Sequence, residues 1–87
     1  MSTIRRLHDA VVLREENGAR FALDLERGEI IDLNESAALV LDRLREGATE
    51  SAIVAALRER YPDASEVEAT RDVRDLIEEL STLGFLV

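Results

Sequence analysis

The sequence predicts an α+β domain, a three-stranded antiparallel sheet followed by three helices. Three observations carry this. Asn17-Gly18 separates two β-prone segments, and Asn-Gly favours a tight hairpin because both residues tolerate positive φ. Residues 20–25 alternate in side-chain type with the two-residue period of a strand. From Asn34 onward, apolar positions recur at helical spacing between residues that cap helices.

The elements follow in order. Residues 1–7 read as a loosely held arm. Residues 8–15 hold Ala10, Val11, Val12 and Leu13 and form the first strand. In residues 20–25, Phe21, Leu23 and Leu25 fall on one face and Arg20, Ala22 and Asp24 on the other, the pattern of a half-buried strand. Gly28 lies in a second turn, and Glu29, Ile30, Ile31, Asp32 and Leu33 form a third strand. Ile31 and Leu33 then face the core, and Ile30 points the other way.

Asn34 is a favoured N-cap, with Glu35 in the first turn suiting the helix dipole. Ala37, Val40, Leu41 and Leu44 form the apolar stripe of the first helix, which Gly47 ends. Thr49 caps a second helix carrying Ile53, Ala56 and Leu57, and Tyr61-Pro62 stops it. Ser65 and Glu68 form a capping box for the third helix, whose apolar face is Val73, Leu76, Ile77, Leu80 and Leu83. Gly84 ends it, and Phe85-Leu86-Val87 is an apolar tail that packs back on the core.

At 87 residues the chain fits a single domain, 1–87. Its hydrophobic share of 46% suffices for a core, although a chain this short buries only roughly two-thirds of its unfolded surface. Cysteine is absent, so disulfides and thiolate chemistry are excluded. Arg5 and Arg6 interrupt the only early apolar run, leaving no signal-peptide pattern, and apolar stretches such as residues 37–41 are too short for a membrane span. A cytoplasmic protein with no membrane partner is expected.

Catalysis needs convergent reactive groups, and the sequence offers few. His8 is the single histidine and has no identifiable partner, so it reads as solvated. Glu15-Glu16 and Glu78-Glu79 read as solvated charge runs rather than acid-base pairs. The four glycines stand apart, without the spacing of a phosphate-binding loop, and no metal-ligand spacing occurs. No enzyme, cofactor or metal is expected. Binding is better supported. The edge of a meander offers unpaired N–H and C=O groups to which another chain can add.

Strands attached to a second and third helix joined by a short turn suggest a winged helix-turn-helix, so DNA binding has to be weighed. The third helix, however, carries Glu66, Glu68, Asp72, Asp75, Glu78 and Glu79 against Arg71 and Arg74, and the net charge is −8. Such a face repels phosphate, and no nucleic-acid partner is expected. A carrier protein would need an attachment serine in an Asp-Ser-Leu setting, whereas Ser36 stands in Glu-Ser-Ala after a strand.

The residues also carry a resemblance. Leu25-x-x-Gly28 precedes Leu33-Asn34-Glu35-Ser36-Ala37-Ala38. Leu44-x-x-Gly47-x-Thr49 and Ile53-x-x-x-Leu57 follow. Asp72-Val73-x-x-x-Ile77-x-x-Leu80-x-x-x-Gly84-Phe85-Leu86 closes the pattern. As a set this resembles the PqqD-like proteins, recognition elements for ribosomally synthesised and modified peptides, over residues 8–87. The resemblance implies a winged helix-turn-helix that binds the leader of a precursor peptide without chemistry of its own. It implies that the leader adds as a strand to Glu29, Ile30, Ile31, Asp32 and Leu33. Leader side chains would enter a groove against Asp72, Val73, Asp75, Leu76, Glu79 and Leu80. The acidic ridge of Asp72, Asp75 and Glu79, at i, i+3 and i+7, suits a leader carrying Lys or Arg. A free-standing domain of this size is similar to the discrete recognition protein of lasso-peptide clusters, which serves a separate leader peptidase. The alternatives are a PqqD-like chaperone for a radical-SAM peptide-modifying enzyme and, from outside the family, an acyl or peptidyl carrier protein.

Overall fold

A computed structural model describes residues 3–87; Met1 and Ser2, the start of the expected arm, lie outside the described residues. The elements run β1 (Ile4–Arg5), β2 (Val11–Glu16), β3 (Ala19–Asp24), β4 (Ile30–Leu33), α1 (Glu35–Glu46), β5 (Ala48–Thr49), α2 (Glu50–Arg60) and α3 (Glu66–Leu83). The predicted α+β order holds. Strands β2, β3 and β4 pair antiparallel in that order, and three helices follow among the described residues, compatible with a winged helix-turn-helix.

Local chemistry explains the boundaries. Asn17 at φ 52° and Gly18 at φ 84° make the β2–β3 turn with both residues at positive φ, as a tight hairpin requires. Asn34 Oδ1 accepts the Ala37 N–H at 2.8 Å, Thr49 Oγ1 that of Ala52 at 3.1 Å and Ser65 Oγ that of Glu68 at 3.1 Å. Each therefore satisfies a first-turn donor that has no partner within its helix. The core is built from all parts of the chain, with Val11 from the sheet, Leu41 and Leu44 from α1, Ile53 from α2, Leu80 from α3 and Phe85 from the tail, all fully buried.

Three expectations need correction. The arm is tied down over residues 4–7: Ile4 and Arg5 pair with Thr49 and Ala48. Leu7 is buried and bridges to Leu86. The cause is mutual: Leu7 and Phe85 both belong to the core, and the segments around them exchange main-chain hydrogen bonds. The Val87 N–H donates to Arg6 O at 2.9 Å and the His8 N–H to Phe85 O at 3.0 Å.

Second, β3 alternates as expected, yet it buries Ala22 and Asp24 and leaves Phe21 and Leu23 half-buried and Leu25 61% exposed. Small Ala22 lets α1 approach the sheet. Asp24 is tolerated inside because its carboxylate has enough donors. Oδ1 accepts the N–H groups of Glu26 at 2.9 Å and Arg27 at 3.3 Å, closing the β3–β4 turn.

Third, His8 is half-buried rather than solvated, and it supplies the remaining donor. Its Nδ1 accepts the Ala10 N–H at 3.1 Å, so the ring proton sits on Nε2, which lies 3.1 Å from Asp24 Oδ2. Burial pushes the Asp24 carboxyl up, but the bonds from His8, Glu26 and Arg27 outweigh burial and hold it below its ordinary range.

This arrangement makes two outcomes testable by denaturation. Asp24→Ala is expected to cost about 2–3 kcal/mol, which for a domain this size lowers Tm by roughly 10–20 °C. Because the folded carboxyl sits below its ordinary value of 3.8, its stabilisation is complete above that pH and is lost as pH falls through the lower folded value. Wild type should therefore lose more stability than Asp24→Asn, which has no proton to take up, as pH falls from 3.8 through that lower value. Equal acid sensitivity would refute the role given to the carboxylate.

Candidate functional site

Strand β4 is an outer strand of its sheet and pairs with β3 alone among the described residues. Its register is Leu23↔Ile30, Ala22↔Ile31, Phe21↔Asp32 and Arg20↔Leu33. The Asp24 N–H donates to Glu29 O at 2.9 Å. Antiparallel pairs alternate between hydrogen-bonded and non-hydrogen-bonded. Glu29, Ile31 and Leu33 therefore direct their main-chain groups at β3, and Ile30 and Asp32 direct theirs away from it. The side chains divide along the same alternation. Ile31 and Leu33 are half-buried against the core, whereas Ile30 is 59% exposed, as the sequence predicts, and Asp32 is exposed.

The opposite edge is less open. On β2 the same alternation, fixed by the Leu25 N–H donating to Ala10 O at 3.0 Å, turns the Val11 carbonyl outward. Arg45 Nη2 donates to that carbonyl at 2.7 Å. The α1 arginine thus occupies an acceptor that an added strand would need.

Beside the end of β4 lies a groove of about 780 Å³ framed by the start of α1, the end of α2 and one face of α3. Val40, Leu57, Ala69, Val73 and Leu76 give it an apolar lining, and Glu35, Glu68, Asp72, Asp75 and Glu79 add carboxylates. Asp72, Asp75 and Glu79 are exposed on α3, and among the described residues no cation lies within ion-pair distance of them. Glu35 is bonded to Arg60 at 2.7 Å, and the Arg60 guanidinium stands over the Tyr61 ring, 5.3 Å from its centre. Burial, and then the Glu35 carboxylate beside it, raise the Tyr61 hydroxyl above its ordinary ionisation range.

The structure thus brings Asp72, Val73, Asp75, Leu76 and Glu79 together in one groove. Glu29, Ile30, Ile31, Asp32 and Leu33 run along the adjoining edge. Leu80 stands apart: it is fully buried in the core and does not line the groove. Its position on the broad apolar face of α3 is the physical reason. Sequence reasoning missed Tyr61, Glu35 and Glu68 as lining residues. Tyr61 carried one usable signal, a large aromatic residue placed where a helix stops beside Pro62.

Two solved structures share this architecture. TbiB1 in complex with the TbiA(beta) leader peptide matches at 26% identity and a TM-score of 0.80, covering 93% of this chain and 93% of that chain. Lasso peptide synthetase B1 complexed with the leader peptide matches at 26% identity and a TM-score of 0.80, covering 95% and 96%. No curated protein matches the chain. The family model described as coenzyme PQQ synthesis protein D matches residues 10–86, almost the whole domain. An open β4 edge beside an acidic groove is therefore set in a chain that belongs to the PqqD family.

Proposed function

We propose that this protein is a non-catalytic recognition element for the leader segment of a ribosomally synthesised precursor peptide in lasso-peptide biosynthesis. The leader adds as a strand to β4, its side chains enter the neighbouring groove, and the complex is presented to a partner leader peptidase. The observation that carries this is the outward-facing main chain of Ile30 and Asp32 next to an apolar, acid-rimmed groove. Support comes from the two solved structures of similar fold, both of which hold leader peptides.

Magnitudes divide the labour. Ile30 and Asp32 offer two N–H and two C=O groups. Each added hydrogen bond is worth about 0.5–1.5 kcal/mol net, and association itself costs about 4–15 kcal/mol. Strand pairing alone therefore gives weak binding without sequence preference. Apolar side chains in the groove, about 1.5–3 kcal/mol each when fully buried, supply the remaining affinity and the specificity. The carboxylates favour a leader with Lys or Arg near those apolar residues. Holding the leader raises the precursor's effective concentration at the enzyme without any chemistry by this chain.

A second reading, a chaperone serving a radical-SAM peptide-modifying enzyme, is favoured by the PQQ-synthesis description of the matching family. It uses the same leader site and differs in the partner. A carrier role fits poorly, since the Ser36 hydroxyl donates to Asn34 Oδ1 at 3.0 Å, within the α1 cap.

Calorimetric titration with a synthetic leader of the cognate precursor tests the proposal. Asp32→Pro removes an outward N–H that β3 does not use, so it should weaken binding at least about tenfold, equivalent to ~1.4 kcal/mol, while the domain stays folded. Ile31→Pro breaks the β3 pairing and should destabilise the protein. Unchanged affinity in Asp32→Pro would refute strand addition at β4. Asp72→Asn combined with Asp75→Asn should weaken a basic leader by about two- to tenfold, less at high salt. No change would remove the carboxylates from the recognition account.

A further inference from the structure

The backbones of the two walls of the site, β4 and α3, approach each other little among the described residues. Among the described residues β4 packs against β3 and α1, whereas α3 packs against α2. The shared core sets part of their spacing, and the β3–β4 turn provides a second, direct link. Arg27, in that turn, extends its guanidinium to the end of α3, where Nη1 lies 3.4 Å from Leu83 O. It rests against Gly84, the left-handed cap at φ 81°, where an added Cβ would overlap the guanidinium. Glycine thus serves there both the left-handed backbone and the close approach of Arg27.

Charge gives this contact its sense. α3 runs 18 residues with Glu66 and Glu68 in its first turn and no basic residue in its last. Its terminal carbonyls carry partial negative charge that no cation of the helix offsets. Arg27 supplies one from outside. The backbone of Arg27 is held in turn, because its N–H donates to the buried Asp24 carboxylate at 3.3 Å. The Gly28 N–H donates to Asp24 O at 2.7 Å and completes the turn that leads into β4. The strand is thereby anchored on one side to the core through Asp24 and on the other to α3 through Arg27.

We infer that Arg27 is a positioning residue for leader binding: it joins the turn before β4 to the C-terminal cap of α3 and so sets the gap between the pairing strand and the groove helix. This rests on the leader-binding reading. Arg27 lies outside both the pairing strand and the groove lining. An exposed contact of this length contributes little to global stability. Its consequence lies in the pre-organisation of the site, since a wall that must be positioned during binding lowers affinity.

The test uses the full chain as wild type, Arg27→Ala and Arg27→Lys, titrated with the same synthetic leader. Arg27→Ala is expected to bind about two- to fivefold more weakly with little change in Tm, the range of one cation at a helix C-terminus. Arg27→Lys, which keeps the charge, should recover part of the loss. In the free protein, Arg27→Ala should also move the amide signals of Ile30, Ile31 and Asp32 as well as those of Leu83 and Gly84. Wild-type affinity in Arg27→Ala, or amide changes confined to residues 83–85, would overturn the inference. If the wild type fails to bind the leader, the leader-binding reading falls, and the free-protein signals alone decide whether Arg27 positions β4.

Discussion

The buried carboxylate of Asp24 is the constraint from which the geometry of the site follows. A charge inside an 87-residue domain is tolerated only when donors surround it. Those donors are His8 from before β2 and the main chain of Glu26 and Arg27. Their convergence fixes the turn, and the Asp24 N–H bond to Glu29 O fixes the phase in which β4 meets β3. That phase decides which main-chain groups β4 spends on its own sheet and which it leaves outward. A slip of one residue would turn Ile31 and Leu33 to solvent and exchange the outward pair.

The same logic distinguishes the sheet's two edges. β2 and β4 both end a sheet, but Arg45 caps the outward carbonyl of Val11, while β4 opens beside a groove. The acidity of the chain acquires a location as well. Its excess of carboxylates repels nucleic acid in general, and part of it is concentrated on the groove face of α3, where Asp72, Asp75 and Glu79 have no ion-pair partner among the described residues. That combination fits a peptide with both apolar and basic side chains.

Much of this was legible in the sequence, for identifiable reasons. The hairpin at Asn17-Gly18 and the caps at Asn34, Thr49, Ser65 and Gly84 depend on local chemistry, which a sequence states directly. The exposure of Ile30 followed from alternation. Hydrophobicity misled in β3, where Ala22 and Asp24 are buried and Leu25 is exposed, because the donors around a carboxylate, here including the distant His8, decide whether it can be inside. The docking of Ile4 and Arg5 depends on Ala48 and Thr49, and that of Arg6 and Leu7 on Leu86 and Val87 at the far end of the chain, and no local pattern announces either. Five of the six α3 residues expected at the groove line it. Leu80 could not be separated from Leu76 by periodicity, since both lie on one broad apolar face.

Amide hydrogen exchange, residue by residue, tests the central claim most directly. In the free protein the N–H groups of Ile31 and Leu33, bonded to β3, should exchange slowly, and those of Ile30 and Asp32 should exchange fast. On saturation with the leader, Ile30 and Asp32 should become protected while the amides of Val11, Leu13 and Glu15 on the β2 edge stay unchanged. Protection that appears at the β2 edge instead, or leader binding that leaves Ile30 and Asp32 exchanging as before, would contradict strand addition at β4.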